Sequence, residues 1–191
     1  MRSPAEAAAL VHSFQPGDDG EASKSRELVL ALLAVSPTPF SRYEFHPGHI
    51  TCTGVVLSAD GHRVVLVHHR RLERWLLPGG HVEEEDESLA DSARREVIEE
   101  TGVALASDGA PVLVNIDVHA IPPRGVEPLH LHHDLVFVFR AASEATLCSP
   151  ESRAVEWCGI DEFDKYDVPG NVRRAAMRAA ALERRSDLQA D

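Results

Sequence analysis

Between Glu83 and Glu100 the 191-residue chain carries nine carboxylates against two arginines, Arg94 and Arg95, and this stretch supplies most of the net charge of −12. A run of this kind ordinarily marks a solvated helix face. Position argues otherwise for three of the acids. Glu96, Glu99 and Glu100 fall in the last two turns of a helix that Gly102 should end, where the helix dipole disfavours an anion by about 0.3–1 kcal/mol each. Glu96 and Glu100 are four apart and stack on one face, a like-charge pair that costs roughly 0.2–0.5 kcal/mol more. Local rules broken repeatedly at one spot point to function, and a bound cation is the simplest compensation for converging carboxylates. All-oxygen donors select hard ions, so Mg²⁺ or Mn²⁺ is expected. Magnesium commonly takes one or two carboxylates together with substrate phosphates, which gives an acidic chain a route to a polyphosphate.

A second concentration of chemistry lies among the eleven histidines. His130, His132 and Asp134 alternate onto one face of a strand, and Asp117 with His119 shares a face of the strand before it. Paired, these strands would gather an imidazole and carboxylate cluster able to bind a phosphate or sugar, hold an additional metal, or act as a pH-dependent base. The plainer alternative is a set of half-exposed residues hydrogen-bonded to one another. His81, beside the acidic segment, is placed to touch a phosphate. Trp75, Trp157, Phe137 and Phe139 read as core rather than as a stacking platform.

The elements that position these groups follow from periodicity and breakers. Two helical stretches, residues 4–12 and 26–35, are separated by the Pro16-Gly17-Asp18-Asp19-Gly20 break. Pro37, Pro39 and Pro47 mark a non-helical connector. Residues 50–57 and 63–69 flank an Asp60-Gly61 turn and predict a hairpin. A short strand at 74–77 precedes Pro78-Gly79-Gly80. Ser88, with Asp91 three residues on, signals the start of the acidic helix, and Gly102 its stop. Strands at 111–121, 129–141 and 154–158 and a helix at 171–185 complete an α/β order, a mixed sheet with helices on its faces. Residues 1–40 are expected to form an N-terminal helical extension, and 41–191 the main domain.

Composition narrows the partners. An excess of acid repels a nucleic-acid backbone and an anionic membrane, and no run of 18 apolar residues occurs, so neither nucleic acid nor membrane is expected as a partner. Cys52, Cys148 and Cys158 are odd in number and form no C-x-x-C pair, which fits a reducing cytoplasm better than a disulfide framework. No signal peptide is expected. There is no P-loop, H-E-x-x-H or G-x-S-x-G pattern. The N-terminal helices could mediate a homodimer.

The segment from Gly80 to Val103 resembles the Nudix box, G-x5-E-x7-R-E-U-x-E-E-x-G-U with U a bulky aliphatic residue. From Glu87 through Arg95, Glu96, Val97, Glu99, Glu100, Gly102 and Val103 the match is complete, whereas six residues rather than five separate Gly80 from Glu87. The resemblance covers residues 50–163. It is nearest to a group with Pro47-Gly48-His49-Ile50-Thr51 and H-x-H-x-D patterns. It implies an α/β/α sandwich and metal-dependent hydrolysis of a small nucleoside diphosphate derivative. Glu96 and Glu100 would be metal ligands, Glu99 a further ligand or the base, and the Gly80 carbonyl a backbone ligand, with Arg95 and Glu87 orienting the carboxylates through an ion pair. Glu99 and Glu151 are the candidate bases, and His81, His119, His130, His132 and Asp134 the candidate substrate-binding residues. Hydrolysis of a non-nucleotide diphosphate and a non-catalytic nucleotide-binding module are the alternatives.

Overall fold

The structure is a computed structural model, describing residues 3–107 and 110–190, with the side chains of 185–190 left aside. Two helices open the chain, α1 (Pro4–Ser13) and α2 (Gly20–Val35). Ser3 and Glu6 form a reciprocal capping box on α1. The second helix starts six residues earlier than its apolar periodicity suggested. The reason is Asp19, whose carboxylate accepts from the Glu21 and Ala22 N–H groups and caps the first turn.

Seven strands follow among the described residues: β1 (Gly48–Leu57), β2 (Arg63–His69), β3 (Arg74–Leu76), β4 (Gly79–His81), β5 (Val112–Ile121), β6 (His130–Arg140) and β7 (Ser152–Gly159). Helix α3 (Leu89–Thr101) lies between β4 and β5, and α4 (Gly170–Ala190) closes the chain. The sheet runs β3-β2-β1-β6-β5, with β4 also paired to β1 and β7 to β2. It is mixed: β6 runs parallel to β1 from Gly48↔Leu131 to Leu57↔Arg140, and antiparallel to β5. The Gly79-Gly80 pair, which the sequence pattern assigns to no strand, forms β4, because Thr51–Thr53 of β1 offer it an antiparallel edge.

Helices cover both faces, giving an α/β/α sandwich. One buried cluster joins Val11 of α1, Val29 and Leu32 of α2, and Ala93 and Val97 of α3 to Ile50, Val56, Leu135 and Phe137 of the sheet. The other packs Val172, Ala175, Ala176 and Ala179 of α4 on Val55, Leu66 and Val136. Alternation along β1 divides the chemistry the same way: Ile50, Cys52 and Gly54 face α3, and His49, Thr51 and Thr53 face the opposite side.

Candidate active site

The acidic helix is built as its sequence demands. Ser88 caps α3, its hydroxyl accepting from the Asp91 N–H at 3.1 Å and donating to the Asp91 carboxylate at 2.7 Å. Gly102 ends it in the left-handed conformation with φ 64°. A Cβ at Gly102 would lie 2.8 Å from that of Leu147, so glycine satisfies both the backbone and the packing.

Arg95 organises the surrounding acids. Its Nε and Nη2 donate to the two oxygens of Asp86 at 2.9 and 3.0 Å, its Nη1 to Glu96 at 2.8 Å and to Glu99 at 3.3 Å, and its Nη2 also to the His81 carbonyl at 2.8 Å. The bidentate partner is therefore Asp86, where Glu87 was expected. Counting forward from Gly80 explains the difference: five residues lead to Asp86, so the extra residue lies between the clamping acid and Arg95 rather than before it. Burial works to raise the Asp86 carboxyl, but hydrogen bonds from Arg95, the Glu83 backbone and Ser92, with the Arg95 charge, hold it at about 2. The same contacts raise Arg95 above its ordinary value, and it stays charged.

Glu96 and Glu100 are held on the inner side of α3, against β4. A Cβ at Gly80 would fall 2.5 Å from Glu96 Oε1, so the carboxylate lies directly on the Gly80 backbone. Burial raises the Glu96 carboxyl, opposed by its contact with Arg95. Burial and then the Glu96 charge push Glu100 up to about 8, against a lowering hydrogen bond from the Gly79 backbone. The charges of Glu99 and Glu151 act on both carboxyls in the same direction. Glu99 is 59% exposed, and Glu151 is exposed on the turn before β7. That turn is tied down by Arg70, which donates from its backbone N–H to the Glu151 carbonyl and from its guanidinium to the carbonyls of Pro150 and Ser152. An open depression beside it is lined by His69, Arg70, Arg71, Arg124 and Glu151. Four carboxylates are thus gathered, Glu100 buried and Glu96 half-buried, with burial and their mutual repulsion working against the charge of both. Hard oxygen donors in this state fit a divalent cation such as Mg²⁺ or Mn²⁺.

The predicted histidine cluster forms on the other face of the sheet. Strand pairing sets His119 beside His132, Asp117 beside Asp134 and His132 beside His49. His81 joins them because alternation along β4 turns it away from α3 while Gly80 faces the helix. The rings of His49 and His132 are 4.9 Å apart, those of His49 and His81 5.1 Å, and those of His49 and His130 5.2 Å. Burial, followed by Arg42 and the neighbouring imidazoles, lowers His81 to about 4, and burial with the surrounding histidines lowers His132 to about 2. His119 is raised instead, by its 2.9 Å bond to Asp117, which also accepts from Asn171 of α4. Asp134 is taken up by the hydroxyls of Thr51 and Thr53 at 3.0 and 2.9 Å.

Sequence reasoning missed Asp86, Arg70 and His49 as site residues. Asp86 was available from the count forward from Gly80. His49 alternates with Thr51 and Thr53, but only the parallel pairing with β6 sets it against His132. Nothing local marks Arg70, whose partners are about eighty residues away.

Residues 48–178 match the NUDIX domain, and the chain belongs to the Nudix family, which acts on nucleoside diphosphate derivatives by hydrolysing phosphorus anhydrides. Solved structures agree on the fold. A NUDIX-family hydrolase from Clostridium perfringens is 21% identical with a TM-score of 0.51, the match covering 70% of this chain and 97% of that one. A NUDIX hydrolase from Nitrosomonas europaea gives 21% identity and 0.51 over 69% and 88%. The NUDIX domain of Shewanella oneidensis NrtR, solved with ADP ribose, gives 20% and 0.50 over 81% and 96%. No curated protein matches. The three cysteines are free, and among the described residues no helix is long and apolar enough to cross a membrane.

Proposed function

We propose that this chain is a metal-dependent hydrolase of the diphosphate bond in a small nucleoside diphosphate derivative. The observation that carries the reading is the Glu96 and Glu100 pair held against β4, with Glu96 on the Gly80 backbone and Glu100 pushed up to about 8 by burial and then by the Glu96 charge. Glu96, Glu100 and Glu99, with the Gly80 carbonyl, would hold Mg²⁺ or Mn²⁺. The ion would neutralise the diphosphate and polarise the attacking water. Arg95 opposes the effect of burial on Glu96 and aims its carboxylate, and Asp86 fixes Arg95 in turn. Glu99 and Glu151 both reach solvent and sit at the rim of the cluster, so either can take the proton of the attacking water and release it to bulk. Arg71 and Arg124, exposed beside Glu151, supply positive charge for a substrate phosphate. The occupation of the clamp by Asp86 favours this catalytic reading over a non-catalytic module, because the one-residue insertion leaves the box's internal ion pair in place. The ADP ribose of the Shewanella domain suggests the first substrate to try.

The test is product formation from ADP-ribose, dinucleoside polyphosphates, NADH, nucleotide sugars, nucleoside triphosphates and prenyl diphosphates with Mg²⁺, Mn²⁺ or EDTA, for the parent chain and Glu100→Gln. Turnover of one class that EDTA and Glu100→Gln both abolish is the expected result. A folded parent chain that binds ADP-ribose and turns over none of these would overturn it in favour of the binding module.

A further inference from the structure

Three imidazoles from three strands converge on the face of the sheet opposite α3. One ring nitrogen from each of His49 (β1), His81 (β4) and His132 (β6) lies within 4.8 Å of the other two. The residue that fixes the chemistry is His49, which is 1% exposed. Its Nδ1 lies 3.0 Å from the Glu44 carbonyl. A carbonyl only accepts, so Nδ1 carries the hydrogen and Nε2 keeps its lone pair. That Nε2 is buried and has no hydrogen-bond partner, a state that a polar atom keeps only at a cost to stability. A second such arrangement adjoins it: His130 Nδ1 donates to the Pro128 carbonyl at 2.8 Å. Imidazoles whose far nitrogen is fixed on a carbonyl or carboxylate are the usual ligands of a metal site, because the outer bond selects the tautomer and aims the lone pair. No hydrogen bond ties the rings of His81 or His132 among the described residues, so each offers a ring nitrogen to the group.

We propose that His49, His81 and His132 form a second metal centre, a three-imidazole site for a zinc-class transition-metal ion, separate from the carboxylate site on the α3 face. Nitrogen donors select Zn²⁺ and its neighbours over Mg²⁺, so the two centres take different ions. Zinc–nitrogen bonds of about 2.0–2.1 Å in tetrahedral geometry set ligand nitrogens about 3.4 Å apart, so a present spread of up to 4.8 Å needs a contraction of at most about 1.4 Å. Side-chain torsion at the half-buried His81 and His132 supplies it. Three protein ligands leave the fourth position to water or to a ligand oxygen, the arrangement of sites that keep an open coordination place. The Asp117 and His119 pair lies beyond His132 at a ring distance of 5.7 Å, and Asp134 stays with its two threonines, so neither is needed as a ligand.

The test uses the full chain stripped with chelator and titrated with Zn²⁺, and with Co²⁺ as a spectroscopic probe, alongside His81→Gln, His132→Gln and Glu100→Gln. The expected result is one zinc-class ion per chain with the strong visible absorption of low-coordinate cobalt, kept in Glu100→Gln. Each histidine variant should lose affinity by more than the roughly 10–100-fold that outer-shell changes cost. Circular dichroism checks that the variants fold. Nitrogen NMR of the parent chain needs no variant: zinc should move the Nε2 resonance of His49 while its Nδ1 keeps its hydrogen. Absence of binding by the stripped parent chain, binding that survives both histidine variants, binding abolished by Glu100→Gln, or an unmoved His49 Nε2 would each overturn the proposal.

Discussion

Arg95 grips Asp86 through one whole edge of its guanidinium, Nε to Oδ1 at 2.9 Å and Nη2 to Oδ2 at 3.0 Å, and carries on to Glu96 and Glu99 from its third nitrogen. The planar fork is what lets one side chain serve three carboxylates, and a lysine could not reproduce it. Asp86→Asn and Arg95→Lys are therefore expected to lower kcat/KM by about 10–100-fold, the usual cost of removing a group that aims metal ligands. Glu87→Gln, one residue away and exposed, should stay within about 0.5 kcal/mol of the parent chain. Steady-state kinetics on the three variants separates the two acids. Equal losses at Asp86 and Glu87 would show that the clamp is not confined to Asp86.

The same pair sets an acid limit on stability. The Asp86 side chain is 5% exposed. Burial works against its ionisation, and the Arg95, Glu83 and Ser92 contacts prevail, so its carboxyl drops from an ordinary 3.8 to about 2. A depressed folded-state pKa contributes stability that is present above 3.8 and is lost as the pH falls through about 2. The shift corresponds to about 2 kcal/mol. Urea unfolding between pH 4 and pH 2 should show the parent chain losing about 2 kcal/mol more than Asp86→Asn. Parallel slopes would mean that Asp86 is not selectively stabilised as the anion.

The parts of this design that were legible in the sequence are those written in local spacing. Ser88 and Gly102 bound α3, and the four-residue interval between Glu96 and Glu100 sets both on one side of it. The alternation of His130, His132 and Asp134 likewise defines a face. What could not be read was pairing. The parallel run of β1 on β6 brings His49 to His132 across more than eighty residues, and the β1–β4 ladder turns two glycines into a strand that supports Glu96. The identity of the clamping acid also escaped, because Asp86 and Glu87 both satisfy half of the expected interval and only contact with Arg95 distinguishes them. The start of α2 was missed for a smaller reason: the capping by Asp19 lies outside the apolar repeat.

Gly80 offers a test of ligand position that leaves the fold intact. A Cβ there would meet Glu96 Oε1 at 2.5 Å, Cδ at 2.7 Å and Oε2 at 2.8 Å, the movable end of one side chain rather than backbone. Gly80→Ala should therefore swing the carboxylate aside at little cost in stability. The expected outcome is a change in unfolding free energy of about 1 kcal/mol or less, within the ordinary range of single substitutions, with Mn²⁺ affinity and kcat/KM both down at least about 10-fold. Isothermal titration with Mn²⁺ beside a thermal melt checks it. Unchanged Mn²⁺ binding would remove Glu96 from the ligand set.

Arg70 acts at a distance from the cluster, through the turn that carries Glu151. Its guanidinium spans the carbonyls of Pro150 and Ser152 at 3.1 and 3.0 Å, and its own N–H donates to the Glu151 carbonyl. Removing the side chain leaves the backbone bond and frees the turn. A charge-assisted bond of this type contributes about 1.5–3 kcal/mol, and part of that loss should appear as misplacement of Glu151 rather than as unfolding. Arg70→Ala is expected to lower kcat about 10-fold, an effect of about 1.4 kcal/mol on the barrier. Arg70→Lys should rescue little, since a single ammonium cannot bridge both carbonyls. If Arg70 works by positioning Glu151, its removal costs nothing further once Glu151→Gln is already in place. Additive losses in the double variant would assign Arg70 a direct role on the substrate, beside Arg71 and Arg124.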